Sequence, residues 1–475
     1  MARKWVKRWD PAPPGQPGSL LPAMTVHPPA GLKRMNWTLP VSKSHAIRWV
    51  ALAAQVDAEM TLNGMSTAGE DVVAMRRCLM QCGIQFTDLD AEGRPLPSNE
   101  NADFIPHERT ESWRVRGRVP ETWRHPGTVL HAGNSGTTLR ILMGLASRWA
   151  VPVMVDGDAN LRRRSFEVML GVLEQAGVAV SNGAGPEHLP ALIQGPFRAD
   201  AVVLDATASS QPITAMLIAS AGRSNSLTVR LEGEAVSTRH AALTVELCRW
   251  FGAQIDHDER SISVHPWTPE PASLEVDVVS DASMMAFPLL AAVSTGAEVN
   301  LLNPPAMVDS LGHEVLLDAA PSLGLSMSNG CWTWSPDNAE PCDVDLRDGN
   351  DLITPLAAML ALSAGGVVRG AAHAANKESN RLTRTVDLLA QFGLDSEVTP
   401  DGLDIPGGQA LQQPVGPVDT WGDHRMYMTG LVLSMGLSED ILILGDALHS
   451  VADPGAVERW QQVGANVKAV LHQPW

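Results

Sequence analysis

TAMLIASAGRSNSLTVRLEG (Thr214–Gly233) holds the pattern that decides the fold. Its first eight residues are small or apolar and carry no charge, which suits a helix buried on every side. After a break at Gly222–Asn225, Leu227–Leu231 alternates apolar with polar residues, as a half-buried strand does. Gly233 then makes a turn. An amphipathic run follows to Gly252, where glycine can take the left-handed conformation that ends a helix. The block recurs: further copies reach turns at Gly64, Gly157, Asn303, Gly370 and Gly445. A second glycine follows each turn 19 to 23 residues later, at Gly83, Gly177, Gly324, Gly393 and Gly464. Six such units predict an α/β chain in which small-residue helices are wrapped by sheets, grouped three and three. The polar, proline-rich stretch from Asp88 to about Pro120 enlarges the first interval and reads as a surface insertion.

A chain of 475 residues has room for two domains of three units each. Lys and Arg number 35 against 53 Asp and Glu, a net charge of -18 that repels nucleic acid and anionic membranes, so neither is an expected partner. The five cysteines form no Cys-x-x-Cys pair, which argues against a disulfide framework and a zinc site. The basic start, MARKWVKRW, runs into Pro11–Pro17 instead of an apolar signal core, and no apolar run is long enough for a spanning helix. A cytoplasmic protein is expected.

Against that acidic background, cations gather where loops meet helix starts, positions whose free N–H groups favour anions. Lys43 and Arg48 flank the first buried helix. Gly133-Asn-Ser-Gly136 leads to Arg140, in a glycine-rich loop that lacks the P-loop pattern. Leu161-Arg-Arg-Arg-Ser165 reads as the start of an amphipathic helix, the unfavourable end for cations unless an anion binds there. Ser209-Ser210-Gln211 offers hydroxyl and amide groups. Lys377, Arg381 and Arg425 stand beside acids later in the chain, and Asp351 precedes another helix. Each cluster alone suits a solvated helix end. Seven cations at equivalent joints point to a small polyanionic ligand.

The set Ser-Lys-Ser-x-x-x-Arg (42–48), Gly-Asn-Ser-Gly-Thr (133–137), Ser-Ser-Gln (209–211), Ser-Asp-Ala-Ser (280–283), Asp351, Lys-Glu-Ser-x-Arg (377–381) and Asp-His-Arg-Met (423–426) resembles the 5-enolpyruvylshikimate-3-phosphate (EPSP) synthase family of enolpyruvyl transferases. The resemblance implies a two-domain inside-out α/β barrel, with three repeated βα units per domain and a clam-like cleft. It divides the chain into a basic, proline-rich extension (1–23), a discontinuous domain (24–40 plus 280–475) and a second domain (41–279). It also implies transfer of the carboxyvinyl group of phosphoenolpyruvate to the 5-hydroxyl of shikimate 3-phosphate, with release of phosphate. That step belongs to the shikimate pathway, toward chorismate and the aromatic amino acids. A monomer without metal or organic cofactor is expected.

By the same resemblance Lys43, Ser44, Arg48, Ser209, Ser210, Gln211, Ser237, Asp351, His373 and Lys377 hold shikimate 3-phosphate. Lys43, Gly136, Arg140, Arg164, Gln211, Arg381 and Arg425 hold phosphoenolpyruvate. Asp351, Glu378, Lys43 and His424 are the expected catalytic groups, because the enol carbon must gain a proton while a hydroxyl loses one. Four positions depart from the family pattern. Ser237-Thr-Arg-His240 lacks the usual tyrosine, Asn380 stands for an Asp, His373 for an Asn, and Val451 for a Lys. Arg162 or Arg163 are candidates to replace that lysine's charge. The sister family acting on UDP-N-acetylglucosamine uses a cysteine in the loop that here reads Leu161–Arg164, and no cysteine lies between 83 and 247. A diverged transferase with another anionic acceptor, and a non-catalytic anion-binding relative, remain the alternatives.

Overall fold

The structure, a computed structural model, describes residues 20–98, 104–183 and 188–472. It forms two compact units that part at Pro40/Val41 and at Val279/Ser280. Residues 1–19, most of the expected extension, lie outside the described residues. The rest of it is not an extension: strand Leu21–His27 pairs with Asn466–His472 along its whole length.

The first unit contains helices α1 (Lys43–Ala53), α2 (Glu70–Gln81), α3 (Gly136–Ala146), α4 (Ala159–Arg162), α5 (Glu167–Gln175), α6 (Gln211–Ala219) and α7 (Thr238–Trp250). Helices α1, α3 and α6 pack on one another, and nearly every residue of each is buried, as their small apolar sequences require. Three four-stranded sheets accompany them. In one, Leu130–His131 runs parallel to Val153–Asp156, and Ala191–Gln194 is antiparallel both to that strand and to Ala179–Asn182. The unit's final strand, Glu275–Asp277, supplies the parallel partner of its first, Glu59–Asn63.

The second unit repeats the plan with α8 (Ala286–Thr295), α9 (Val315–Ala319), α10 (Ile353–Leu362), α11 (Arg381–Gln391), α12 (His424–Met435) and α13 (Ala456–Gln462). Here α8, α10 and α12 pack together. Arg34–Trp37, which precedes the first unit in sequence, lies parallel to Glu298–Leu301. In the one three-stranded sheet a single parallel bridge from Val418 to Ile443 stands in for the missing strand. Among the described residues no sheet closes on itself. All six repeat-closing glycines, from Gly83 to Gly464, have positive φ, so the left-handed helix ends expected from sequence form at each. No helix among the described residues is long and apolar enough to cross a membrane.

Two readings need correction. The segment from Asp88 to Pro120 is not wholly an insertion, because Gln85–Leu89 and Ser112–Arg116 are paired strands of the first sheet. Asp88 escapes a strand pattern because it is a buried acid, held by both terminal nitrogens of Arg76 at 2.5 and 3.1 Å. The arginine triplet does not open an amphipathic helix either. Arg162 ends the one-turn α4, the end that favours cations, and α5 starts later, at Glu167.

Candidate active site

Buried helices begin at the residues singled out in sequence. Lys43 is the first residue of α1, whose cap Ser42 accepts from His45 N. Its Nζ lies 3.1 Å from Asp71 Oδ2. Asp71, in the first turn of α2 and buried, was missed in sequence; the only signal for it is an acid at a helix start. Arg48, 1% exposed, donates to Thr244 Oγ1 (2.8 Å), Ser44 O (2.7 Å), Thr214 Oγ1 (3.0 Å) and His240 O (3.3 Å). Burial pushes its pKa down to about 10. Those bonds tie α1 to α6 and α7, so the expected ligand-binding Arg48 is placed as a tie between helices.

Arg140 and Arg164 converge on Gly136, the first residue of α3. A Cβ there would lie 2.9 Å from Arg140 Nη1 and 3.0 Å from Arg164 Cζ. Glycine is therefore required by two guanidinium groups lying against a helix N-terminus. Arg140 is held through neutral oxygens: Gln211 Oε1 (2.8 Å), Gly136 O (3.2 Å) and Ser165 O (2.9 Å). It also covers the Phe166 ring at 4.4 Å. Gln211 N donates to Ser209 Oγ at 3.2 Å, and Ser210 caps α6 by position. Ser237 stands at the start of α7 with φ 53° and ψ 42°, a left-handed conformation uncommon for serine and often found at functional sites.

The second unit gathers titratable groups around Arg381, which is 1% exposed. Its guanidinium meets Asp351 Oδ1 (2.6 Å), Glu378 Oε2 (2.6 Å) and Asp423 Oδ2 (3.0 Å). Burial works against its charge, but the three carboxylates win and raise its pKa. Asp423 also caps α12, accepting from Arg425 N at 2.8 Å and from Ser379 Oγ at 2.9 Å. Arg425 Nη2 lies 3.5 Å from Asp351 Oδ2 and donates to Ser283 Oγ at 2.9 Å. Burial opposes ionisation of Asp351, yet Arg425, Arg381 and Lys377 hold its carboxyl well below the usual range. His424, the second residue of the capped turn, is buried with Nδ1 3.8 Å from Asp423 Oδ1. Sequence reading had the motif 423–426 but not the role of Asp423 as the hub's deepest acid.

The departures have structural consequences. Asn380 caps α11 by accepting from Thr383 N, a task it performs as well as aspartate does. His240 contributes its carbonyl to Arg48. His373 is buried, and burial, then Lys377, push its pKa down to about 4. Val451 ends a short turn, Leu448–Val451, and is 2% exposed, packed where a lysine would lose its hydration. Arg162 is committed to Asp156, with Nε 3.0 Å from Oδ1 and Nη2 in contact with Oδ2, which removes it as the replacement cation. Arg163 is exposed.

This fold is that of the enolpyruvyl transferases. The structure of EPSP synthase from Acinetobacter baumannii matches it with a TM-score of 0.71 at 20% identity, covering 94% of this chain and 100% of that one. The enolpyruvyl transferase NikO from Streptomyces tendae matches with 0.66 at 14% identity, covering 95% and 100%. In sequence, the model of the EPSP synthase (3-phosphoshikimate 1-carboxyvinyltransferase) family matches residues 31–459. A 3-phosphoshikimate 1-carboxyvinyltransferase from Aeropyrum pernix is 32% identical over 351 residues, 72% of this chain and 79% of that protein. The chain belongs to the EPSP synthase family.

Proposed function

We propose that this chain transfers the carboxyvinyl group of phosphoenolpyruvate to the 5-hydroxyl of shikimate 3-phosphate, releasing phosphate in the shikimate pathway. The observation that carries the reading is the convergence of Arg140 and Arg164 on Gly136 at the start of α3. Two fork-shaped cations and a helix N-terminus suit a ligand bearing both carboxylate and phosphate. The family pattern assigns further donor contacts to Lys43 and Gln211 in the first unit and to Arg381 and Arg425 in the second. Ser44, Ser209, Ser210, Ser237, His373 and Lys377 address the acceptor, and Arg48 holds the helices that present them.

The second unit supplies the proton chemistry. Arg381 gathers Asp351, Glu378 and Asp423 around one guanidinium, which brings the carboxyl groups together. Glu378 gives a proton to the enol carbon. Asp351, held ionised by its arginines, orients the acceptor hydroxyl. The acceptor oxygen bonds to the substituted carbon and gives up its proton; as the carboxylate form of Glu378 then takes a proton back from the new methyl group, the carbon–oxygen bond to phosphate breaks and phosphate leaves with the hydroxyl's proton. The enzyme acts as a cytoplasmic monomer without metal or organic cofactor. Phosphate release that depends on both substrates, with a carboxyvinyl ether identified by mass spectrometry, tests the reading. Binding of both without turnover favours the non-catalytic alternative.

A further inference from the structure

His373 lies on the turn Ala372–Asn376, which packs against the turn Asn350–Leu352 that carries Asp351 and ends at Lys377. It is 6% exposed, and its Nε2 is buried without a hydrogen-bond partner. An unpaired buried polar atom carries a desolvation penalty that a bound partner would remove. The charged groups that act on the ring are Lys377, Asp351, Arg347 and Asp401. Burial and Lys377 keep the imidazole neutral, whereas the nearby Asp351 carboxylate favours the protonated form once a proton arrives. Asp351 itself is a poor proton acceptor, since Arg425, Arg381 and Lys377 stabilise its ionised form. A neutral imidazole beside a carboxylate that stays ionised is the arrangement in which the imidazole takes the proton and the carboxylate stabilises the product.

Resting on the transfer reading above, we propose that His373 is the proton acceptor for the attacking hydroxyl in this chain. As the acceptor oxygen bonds to the substituted enol carbon, its proton passes to His373 Nε2, while Glu378 protonates the terminal carbon. In the second half the carbon–oxygen bond to phosphate breaks, Glu378 recovers a proton from the methyl group, and the imidazolium returns its proton to the departing phosphate. Protons and electron pairs balance without any further reactant. The Lys377 ammonium, once paired with the acceptor's phosphate, depresses the imidazole less, so substrate binding itself strengthens the base.

The test is steady-state kinetics on the full chain with phosphoenolpyruvate and shikimate 3-phosphate. His373→Gln, which keeps polarity and approximate size, should lower kcat by roughly 100-fold, a larger effect than on the acceptor KM. His373→Ala should regain part of the rate when free imidazole is added, a response no structural role produces; thermal unfolding of each variant confirms its fold. Folded variants that retain kcat within about twofold, or an alanine variant indifferent to imidazole, overturn the proposal. A wild type that turns over in those experiments isolates that failure to His373. A wild type that releases no phosphate overturns the transfer reading, and this role with it.

Discussion

Arg140, one turn into α3, and Arg381, the first residue of α11, are both buried arginines, yet their surroundings differ. Arg140 donates to an amide oxygen and two backbone carbonyls, which orient its guanidinium. Arg381 is surrounded by Asp351, Glu378 and Asp423, which cancel it. The lesson is that one family motif set contains two kinds of cation. Under the proposed function Arg140 serves to bind an anion, whereas Arg381 also holds acids in place. Motifs alone do not separate these roles, because both read as an arginine at a helix entrance.

If that division holds, variants in the two regions should fail differently. Asp351→Asn and Glu378→Gln should lower kcat by roughly 100-fold or more with little effect on phosphoenolpyruvate binding, measured by steady-state kinetics alongside equilibrium titration. Gly136→Ala should do the reverse. Its new Cβ would meet both guanidiniums at about 3 Å, and displacing them should raise the phosphoenolpyruvate KM by about tenfold or more, since ~1.4 kcal/mol is one decade. A large kcat loss in Gly136→Ala with unchanged KM would break the comparison.

Acid sensitivity should map to the second unit, where His373 and His449 are held neutral. Burial, then Arg459, lowers the His449 pKa from 6.5 to about 4. Below pH 6.5 the unfolded imidazole takes a proton that the folded one refuses until about pH 4, so stability falls as pH drops through that window. His449→Phe, which keeps the stacking on Tyr427, should remove up to about 3 kcal/mol of this loss, measured as denaturant stability at pH 6.5 and 4.5. The smallest effects concern the missing lysine. Val451→Lys should lower Tm because the site is buried, while changing the phosphoenolpyruvate KM by less than about tenfold. Arg163→Ala, at an exposed position, should stay within about 0.5 kcal/mol of wild-type stability.

Much of the fold was legible because its determinants are local. Each repeat closes on a glycine whose positive φ any sequence reader can anticipate, and the central helices α6, α8 and α10 announce their burial by lacking charge. What escaped depends on contacts between distant segments. Asp88 belongs to a strand only because Arg76 neutralises it, and Arg162 looked available until Asp156 was placed beside it. Lys43 was visible in its motif, whereas Asp71 needed the packing of α2 on α1 to become its partner. Likewise Asp423 reads as a helix cap in sequence, and only the structure shows it anchoring Arg381 between two further acids.

The central claim is that carboxyl groups of the second unit move protons on and off the enol carbon during transfer. Turnover of phosphoenolpyruvate and shikimate 3-phosphate in deuterium oxide, followed by mass spectrometry of the product, tests it most directly. Phosphate release with deuterium in the product's vinyl methylene is the predicted result, because that carbon passes through a methyl stage. Phosphate release with no deuterium at that carbon would contradict the account.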